Sequence, residues 1–338
     1  MTIRKYLTDK KVLLFIPYFF GYEVVIKRKI EELGAKVFLY NERSVKSAMS
    51  RALLKVVPCI FKAHSRKYFL GIMNMHEEED FDYILIVRCD MMDKNVLQKL
   101  KEKYPQAKLC LHLWDSFGNV PGIREKLALF DMVTSFDKED CKNNPILIFR
   151  PLFYADEFAQ QGKEKEEFQY DMSFCGTIHS DRYKVLKNVE LQCKEKGLRF
   201  EKFYYLQSKF MFYFYKMTKR EYRNALLSEF SLEKLSSGEI ARIEGESRAV
   251  IDIQHPKQSG LTIRTIEMLG LGKKLITTNK DIVNYDFYMP ENIQILDRDN
   301  PVIDASFFSK QYRNVSKEIY DKYSLETWIY DVLGIGDE

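Results

Sequence analysis

Short apolar runs alternate with helical patterns along this chain. Val12–Ile16 is continuously apolar, which is typical of a parallel strand buried on both faces. Apolar residues then recur at roughly helical spacing from Val24 to Leu33, Gly34 offers a helix C-cap, and 36–40 predicts the next strand. Because alternation of this kind places helices on both faces of a parallel sheet, it predicts a doubly wound α/β fold.

The alternation occurs in two series. The first continues with predicted strands at 83–87, 108–113, 132–135 and 146–148 and helices near 95–103 and 123–129. The second follows a charged stretch at 161–167 that predicts a linker, and it has strands at 171–175, 199–205, 249–253, 274–277 and 293–296 and helices at 181–196 and 262–269. Since 338 residues exceed what one hydrophobic core usually serves, we predict two domains, at 1–160 and 168–312. The remaining 313–338 predicts a helix that can pack back on the N-terminal domain.

Charge and cysteine content exclude several classes of protein. The net charge of +4 is too small to indicate a nucleic-acid partner by itself. The six cysteines are scattered without metal-ligand spacing, which fits a reducing cytoplasm and predicts no metal site. No apolar run is long enough for a signal peptide or for the roughly 20 residues of a membrane-spanning helix. We therefore expect a cytoplasmic protein that is soluble or peripheral to a membrane.

The most informative segment is 249–279, AVIDIQHPKQSGLTIRTIEMLGLGKKLITTN. It predicts a strand, a Gly-containing loop and a helix whose N-terminus meets that loop. Free backbone N–H groups and the positive end of the helix dipole suit this position to a phosphate group. Gly260 lets the backbone approach closely, and the hydroxyls of Ser259 and Thr262 can cap the helix or bond phosphate oxygens.

Three further residues of this segment have two interpretations each. Arg264, in the first turn of the helix, can reach a phosphate, and Glu267, in the second turn, can accept hydrogen bonds from ribose hydroxyls. Their i, i+3 spacing also fits a solvated ion pair. His255, in the preceding loop, fits either a structural or a donor-facing role.

This segment resembles the donor-binding region of GT-B glycosyltransferases, in which a Gly precedes a helix that bears a Glu and a strand like KLITTN follows. Glu267 matches the ribose-binding glutamate of that family. Retaining members have an additional Glu eight positions earlier, where this chain has Ser259, so the resemblance leaves the stereochemical outcome open. The resemblance is closest to bacterial polysaccharide and lipopolysaccharide enzymes, including the CgeB-like branch, and covers chiefly 172–296. It implies the GT-B architecture, in which two Rossmann-like domains face each other across a cleft.

A second strand-to-helix turn lies at 172–184, MSFCGTIHSDRYK. The resemblance implies that this turn opens the donor domain and faces the pyrophosphate of a nucleotide-sugar. Arg182 is then a phosphate partner through charge-assisted hydrogen bonds, with His179 as a second candidate beside Gly176 and Thr177. Without the resemblance, the residues favour a simple capping role for His179.

The acceptor side is assigned to the N-terminal domain. The stretch 111–120, LHLWDSFGNV, ends a predicted strand at the carboxyl edge of the sheet, where open α/β sheets bind their ligands. If an acceptor hydroxyl attacks the sugar carbon directly, Asp115 is the first candidate for the catalytic base and His112 the second. The alternative for Asp115 is capping of the next turn, which the residues alone favour somewhat over a catalytic role.

Two segments combine basic and apolar residues. The first, 43–69, has seven Lys or Arg residues and no acidic one. The second, 199–223, has ten Phe or Tyr residues among its basic ones. Such composition is typical of contact with an anionic membrane surface. A core strand followed by a solvated basic loop also fits the second segment, and a single-stranded nucleic-acid surface ranks third because no RNA-binding motif accompanies it.

The sequence thus predicts a glycosyltransferase that moves a sugar from a nucleotide-sugar to a saccharide acceptor, expected to be lipid-linked, in surface polysaccharide synthesis such as that of capsule or lipopolysaccharide. The alternative is a non-catalytic nucleotide-sugar-binding or scaffold subunit of an assembly complex. No metal or other cofactor is expected, since cationic side chains are assigned to the phosphates. A rival interpretation uses Asp297 and Asp299 as a metal-binding DxD, but their place near the C-terminus favours a solvated loop.

Overall fold

The computed structural model of the protein describes residues 6–44, 58–160, 167–256 and 259–336. The chain divides into two compact units, one of Met1–Leu152 with Leu325–Glu338 and the other of Phe153–Ser324. Two sequence predictions lie partly outside the described residues: the linker at 161–167, of which 161–166 are not described, and the first basic segment at 43–69, of which 45–57 are not described.

The first unit contains a six-stranded parallel sheet in the order β2-β1-β3-β4-β5-β6. Its strands are β1 Lys11–Ile16, β2 Lys36–Asn41, β3 Tyr83–Val87, β4 Lys108–Leu113, β5 Met132–Ser135 and β6 Ile148–Phe149. Its helices up to residue 152 are α1 Tyr22–Glu32, α2 Pro58–Met75, α3 Lys94–Lys103 and α4 Lys138–Lys142. The apolar run Val12–Ile16 is buried throughout, as expected for a central parallel strand with helices on both faces.

The second unit contains a five-stranded parallel sheet in the order β11-β10-β9-β7-β8. Its strands are β7 Tyr170–Thr177, β8 Phe200–Tyr205, β9 Ser247–Asp252, β10 Lys274–Thr277 and β11 Ile293–Ile295. Its helices are α5 Arg182–Glu195, α6 Lys209–Thr218, α7 Ser237–Gly245, α8 Ile263–Leu271, α9 Ala305–Ser309 and α10 Lys317–Lys322.

The last helix, α11 Leu325–Leu333, belongs to the first unit. It buries Trp328 completely, with the indole 4.9 Å from the His112 ring on β4. The division between the units therefore falls at 152–153 and 324–325, whereas the sequence analysis placed the boundaries at 160 and 313. The single helix expected at the C-terminus is broken into α10 and α11, because Ser324 forms a β-bridge with Tyr154 between them.

Other local features also differ from the sequence predictions. The helix expected at 123–129 is reduced to a 3-10 turn at Leu127–Leu129, while α6 and α7 were not expected. Ser208 and Ser236 accept backbone N–H bonds that cap these two helices. Within the described residues, no helix is long and apolar enough to cross a membrane.

The contact between α8 and the start of the second unit explains one glycine. A Cβ on Gly270 would lie 2.6 Å from Cγ of Tyr154 and 2.9 Å from the carbonyl oxygen of Phe158. Only glycine allows this approach without displacing the neighbouring backbone. The close packing fixes α8, whose N-terminus lies at the carboxyl edge of the sheet.

Candidate functional site

The sheet of the second unit changes its direction of winding between β7 and β9. From β7 the chain continues to β8 on one side, and it then returns to β9 on the other. Loops that leave the carboxyl ends of two such strands diverge, and open α/β sheets bind their ligands in the resulting crevice. Of the ten residues predicted to bind the donor, Gly176 and Thr177 end β7, and the other eight lie on the loops or helices that follow β7 and β9. The topology thus brings both predicted segments to one edge.

Arg182, the first residue of α5, joins the ends of these two strands. Its Nε donates to the carbonyl oxygen of Ile253 after β9, and its Nη1 donates to that of Thr177 at the end of β7, at 3.0 Å. Burial lowers the pKa of the guanidinium to about 10, so the side chain stays charged at neutral pH. Gly176 lies beside it, and a Cβ there would be 3.2 Å from the Phe174 ring and 3.8 Å from Arg182 Nη1.

His179 and His255 come together at the same edge. Their ring centroids are 5.6 Å apart, and Nδ1 of His179 lies 3.1 Å from Oγ of Ser180, a residue in the left-handed backbone region at φ 49°. Burial, followed by the positive charge of Arg182, lowers the pKa of His179 to about 3. His179 is therefore neutral at physiological pH and can offer a hydrogen bond, but no charge, to an anion.

Arg298, which lies between Asp297 and Asp299 and was not predicted as a site residue, also reaches this edge. It donates to Asp181 Oδ1 at 2.6 Å, to the carbonyl oxygen of Gln254 at 2.6 Å and to Thr278 Oγ1 at 3.2 Å. It thereby ties the start of α5 to the loops after β9 and β10. In the sequence, an arginine between two aspartates does not indicate that its side chain connects two distant loops.

Thr262 is the N-cap of α8, as predicted. Its Oγ1 accepts from the backbone N–H of Thr265 at 3.3 Å and donates to Asp252 Oδ2 at 2.7 Å. Asp252, the buried last residue of β9, accepts from Thr265 Oγ1 as well. Since its proton is given to Asp252, the Thr262 hydroxyl holds the loop in place rather than donating to a phosphate.

The glycine loop is fixed from a neighbouring strand. Asn279, which is buried two residues after β10, donates through Nδ2 to the carbonyl oxygens of Ser259 at 3.1 Å and Gly260 at 3.4 Å. Because these bonds engage two carbonyl groups of the loop, they fix its orientation without using its backbone N–H groups. Asn279 is thus a positioning residue that the motif KLITTN contains but that sequence reasoning did not single out.

Arg264 and Glu267 form a buried ion-pair cluster, not the solvated pair that was the alternative expectation. Arg264 contacts Glu244 of α7, and its Nε lies 3.8 Å from Glu267 Oε2. Glu244 is fully buried, and Glu267 is only 1% exposed. The two carboxylates neutralise the guanidinium, which argues against Arg264 as the phosphate partner. Glu244 was not predicted as a site residue because α7 itself was not predicted, and a Glu outside a recognised motif is expected to be exposed to solvent.

In the first unit, Asp115 pairs with Arg88 rather than capping the following turn. Arg88, directly after β3, contacts the Asp115 carboxylate through Nη1 and Asp90 Oδ2 through Nε at 2.9 Å. Arg88 and Cys89 both have positive φ, 86° and 64°, an arrangement that costs energy in residues other than glycine and is enriched at functional sites. Burial raises the pKa of Asp115 despite the opposing charge of Arg88.

The position of His112 argues against its assignment as a second base. It lies on β4 with no exposed surface, bonded through Nδ1 to Thr134 Oγ1 at 2.9 Å. Burial lowers its pKa to about 3. A side chain enclosed by the core cannot meet an acceptor hydroxyl, so His112 is a core residue that bonds its neighbour on β5.

Asp297 forms a local turn. Its Oδ1 accepts the backbone N–H groups of Asp299 at 2.8 Å and Asn300 at 3.0 Å, as expected of the solvated loop that was favoured over a DxD site. Over the described residues, no group of three or more His, Cys, Asp or Glu side chains is arranged to hold a metal ion.

Comparison with known structures identifies the fold. HepE from Anabaena, solved with UDP-glucose, matches with a TM-score of 0.59 and 10% identity over 96% of this chain and 98% of its own. An α-glucosyltransferase solved with UDP and a 13-mer DNA matches at 0.55 and 12% identity, over 96% and 95% of the two chains. The UDP-GlcNAc 2-epimerase of Methanocaldococcus jannaschii matches at 0.51 and 10%, over 96% and 100%. No protein-family model and no curated protein matches the sequence.

These matches define a two-domain, doubly wound α/β protein, and the fold is GT-B. The expectation drawn from 249–279 is confirmed at the level of fold. The same fold serves transferases and epimerases among the matched structures, so the chemistry has to be argued from the site.

Proposed function

We propose that the chain is a glycosyltransferase that binds a nucleotide-sugar at the carboxyl edge of the second unit. The observation that carries this proposal is the convergence of Arg182, the His179–His255 pair and the N-terminus of α8 at the winding reversal between β7 and β9. Solved proteins of the same fold hold UDP or UDP-glucose, which supports a nucleotide-sugar as the ligand.

The residues divide the chemistry between them. The diphosphate is assigned to Arg182 and to the free N–H groups at the start of α8, where developing negative charge on the leaving group is stabilised. Glu267 is assigned to the ribose hydroxyls on the basis of the resemblance of 249–279, since the side chain itself is only 1% exposed and lies beside Arg264. Asp115 is assigned as the base that takes the proton of the attacking acceptor hydroxyl, with Arg88 holding its carboxylate. Because cationic and backbone donors are assigned to the phosphates, we propose that turnover needs no metal ion or other cofactor.

The acceptor is proposed to be a lipid-linked saccharide at the inner face of the membrane, in the synthesis of a surface polysaccharide. Support comes from the resemblance of 172–296 to bacterial enzymes of that class and from the basic, aromatic segment at 199–223. A non-catalytic nucleotide-sugar-binding subunit is the alternative function, because the same edge can bind a donor without turning it over.

The test is a panel of UDP-, GDP- and CMP-sugars incubated with the purified protein, with free nucleotide and sugar products measured over time. Slow nucleotide release from one donor, accelerated by a saccharide acceptor, is the expected result. Arg182→Lys should reduce the rate, and Arg199→Lys, at an exposed ion pair with Asp171 in the same unit, is the matched control. Binding without release would favour the non-catalytic subunit, and conversion of the sugar without transfer would favour an epimerase.

A further inference from the structure

Helix α6 exposes an apolar face. Four large side chains lie at i, i+3, i+4 and i+7: Phe210 is 74% exposed, Tyr213 57%, Phe214 48% and Met217 87%. This spacing places them on one side of an α-helix. Contiguous exposure of large apolar side chains usually marks a surface that contacts a partner or a membrane.

The opposite face holds the helix firmly. Phe212 is buried against Phe230, with ring centroids 5.6 Å apart, and Tyr215 packs on Tyr222 at 5.1 Å. Ser208 caps the N-terminus by accepting from the backbone N–H of Met211. The exposed face is therefore presented by an anchored helix, so its apolar side chains cannot simply turn inward.

Positive charge surrounds this face. The stretch 209–223 has five basic residues, Lys209, Lys216, Lys219, Arg220 and Arg223, and one acidic residue, Glu221. All but Lys219 of the basic residues are exposed. Lys216 and Lys219 donate to the backbone carbonyl oxygens of Ala225 and Ser180. Among the residues that the structure describes, no carboxylate forms an ion pair with either of them.

We propose that the exposed face of α6 docks on the surface of an anionic lipid bilayer. Aromatic and apolar side chains enter the boundary between headgroups and acyl chains, while flanking Lys and Arg side chains meet lipid phosphates. A second copy of the chain is a poorer occupant, because it would bring the same positive charge to the contact. A nucleic acid is also poorer, because the most exposed side chain, Met217, offers no ring on which a base can stack. The inference rests on α6 alone and does not require the proposed function.

The experiment is flotation of the purified full chain with vesicles of phosphatidylcholine, with and without phosphatidylglycerol. Binding to the anionic vesicles at 0.1 M salt is expected, with release at 1 M salt, where the Debye length shrinks from about 10 Å to about 3 Å. Neutralising three exposed cations in Lys209→Gln/Arg220→Gln/Arg223→Gln should lower the partition constant about a hundredfold, at roughly fivefold for each basic residue near the surface. Little binding to neutral vesicles is expected.

A second variant separates the apolar contact from the charge. Phe210→Ala/Phe214→Ala/Met217→Ala should lower binding at least tenfold while the melting temperature stays close to that of the wild type, since all three side chains are exposed. The matched control, Leu191→Ala/Val283→Ala/Val302→Ala, changes three exposed apolar residues elsewhere in the same unit and should bind normally. No vesicle binding, binding that neither α6 variant lowers, or a dimer that the aromatic variant dissociates would overturn the proposal. Nucleotide release without membranes is measured separately. Loss of membrane docking therefore removes one support for a lipid-linked acceptor and leaves donor binding and turnover to be judged on their own.

Discussion

The buried cluster around Arg264 allows the ribose assignment to be tested against a control of the same chemistry. Arg264 contacts two carboxylates, Glu244 and Glu267, and both are almost completely buried. Substituting either by Gln keeps the side-chain volume and removes one negative charge. Removing one partner of a buried ion pair costs about 3–5 kcal/mol, and since the Gln amide can still accept a hydrogen bond from Arg264, we expect each variant to lose at most about 3 kcal/mol of unfolding free energy.

The two variants should differ in nucleotide binding. If Glu267 accepts hydrogen bonds from the ribose, Glu267→Gln replaces a charged acceptor by a neutral one. Hydrogen bonds to charged groups contribute about 1.5–3 kcal/mol, so the Kd for UDP should rise about tenfold to a hundredfold. Glu244→Gln alters the same guanidinium from α7 and should leave the Kd within about threefold of the wild type.

Isothermal titration calorimetry with UDP measures both affinities, and thermal denaturation checks that each variant is folded at the titration temperature. The free energy of unfolding from urea denaturation gives the destabilisation of each. Equal changes in Kd for the two variants would show that Glu267 acts only through Arg264 and the packing of α8. An unchanged Kd in Glu267→Gln would refute the ribose assignment directly.

Three further predictions concern catalysis, pH and metal ions. Asp115→Asn should lower kcat for transfer by about a hundredfold or more with an unchanged Kd for UDP, measured by nucleotide release and calorimetry; an unchanged kcat would exclude it as the base. The pKa of His112 is about 3 in the folded protein and 6.5 in the unfolded chain, so the unfolded state binds the additional proton and stability should fall as the pH drops below about 6.5, by about 2 kcal/mol at pH 5. His112→Asn should remove that part of the slope in urea denaturation at several pH values, and an identical slope would contradict the burial of the neutral ring. Excess EDTA should leave turnover intact, whereas loss that manganese restores would support a metal site at Asp297.

The sequence was sufficient to predict the sheets because their strands are short, apolar and regularly spaced. Val12–Ile16 has only one stable environment, the interior of a sheet covered on both faces. Thr262 was identifiable as an N-cap because its hydroxyl acts on the backbone three residues away. Local signals of this kind need no knowledge of the remainder of the fold.

Contacts between distant elements were not predictable in the same way. Asp252 and Asn279 act on the glycine loop from two neighbouring strand ends, and Arg298 reaches it from β11. None of these partners lies at a fixed sequence distance from the loop, so only the strand order brings them together. Helix α6 was missed for another reason, since its run of aromatic residues is as typical of a strand as of a helix.

The surroundings of each cation distinguish residues that the sequence treated alike. Arg182 and Arg264 both lie in the first turn of a helix at the carboxyl edge, so the position of either is compatible with binding a phosphate. Arg264 is enclosed by the carboxylates of Glu244 and Glu267, which cancel its charge. Arg182 instead donates to two backbone carbonyls, and the nearby Lys219 donates to another. A carbonyl group orients a cation without neutralising it. The carboxylates of Asp252 and Asp181 also act on Arg182, but neither forms a direct ion pair with it, whereas Glu244 contacts Arg264 directly. We therefore propose that the diphosphate of a nucleotide-sugar meets its positive charge at the β7–α5 turn, and that α8 contributes its backbone dipole rather than its arginine.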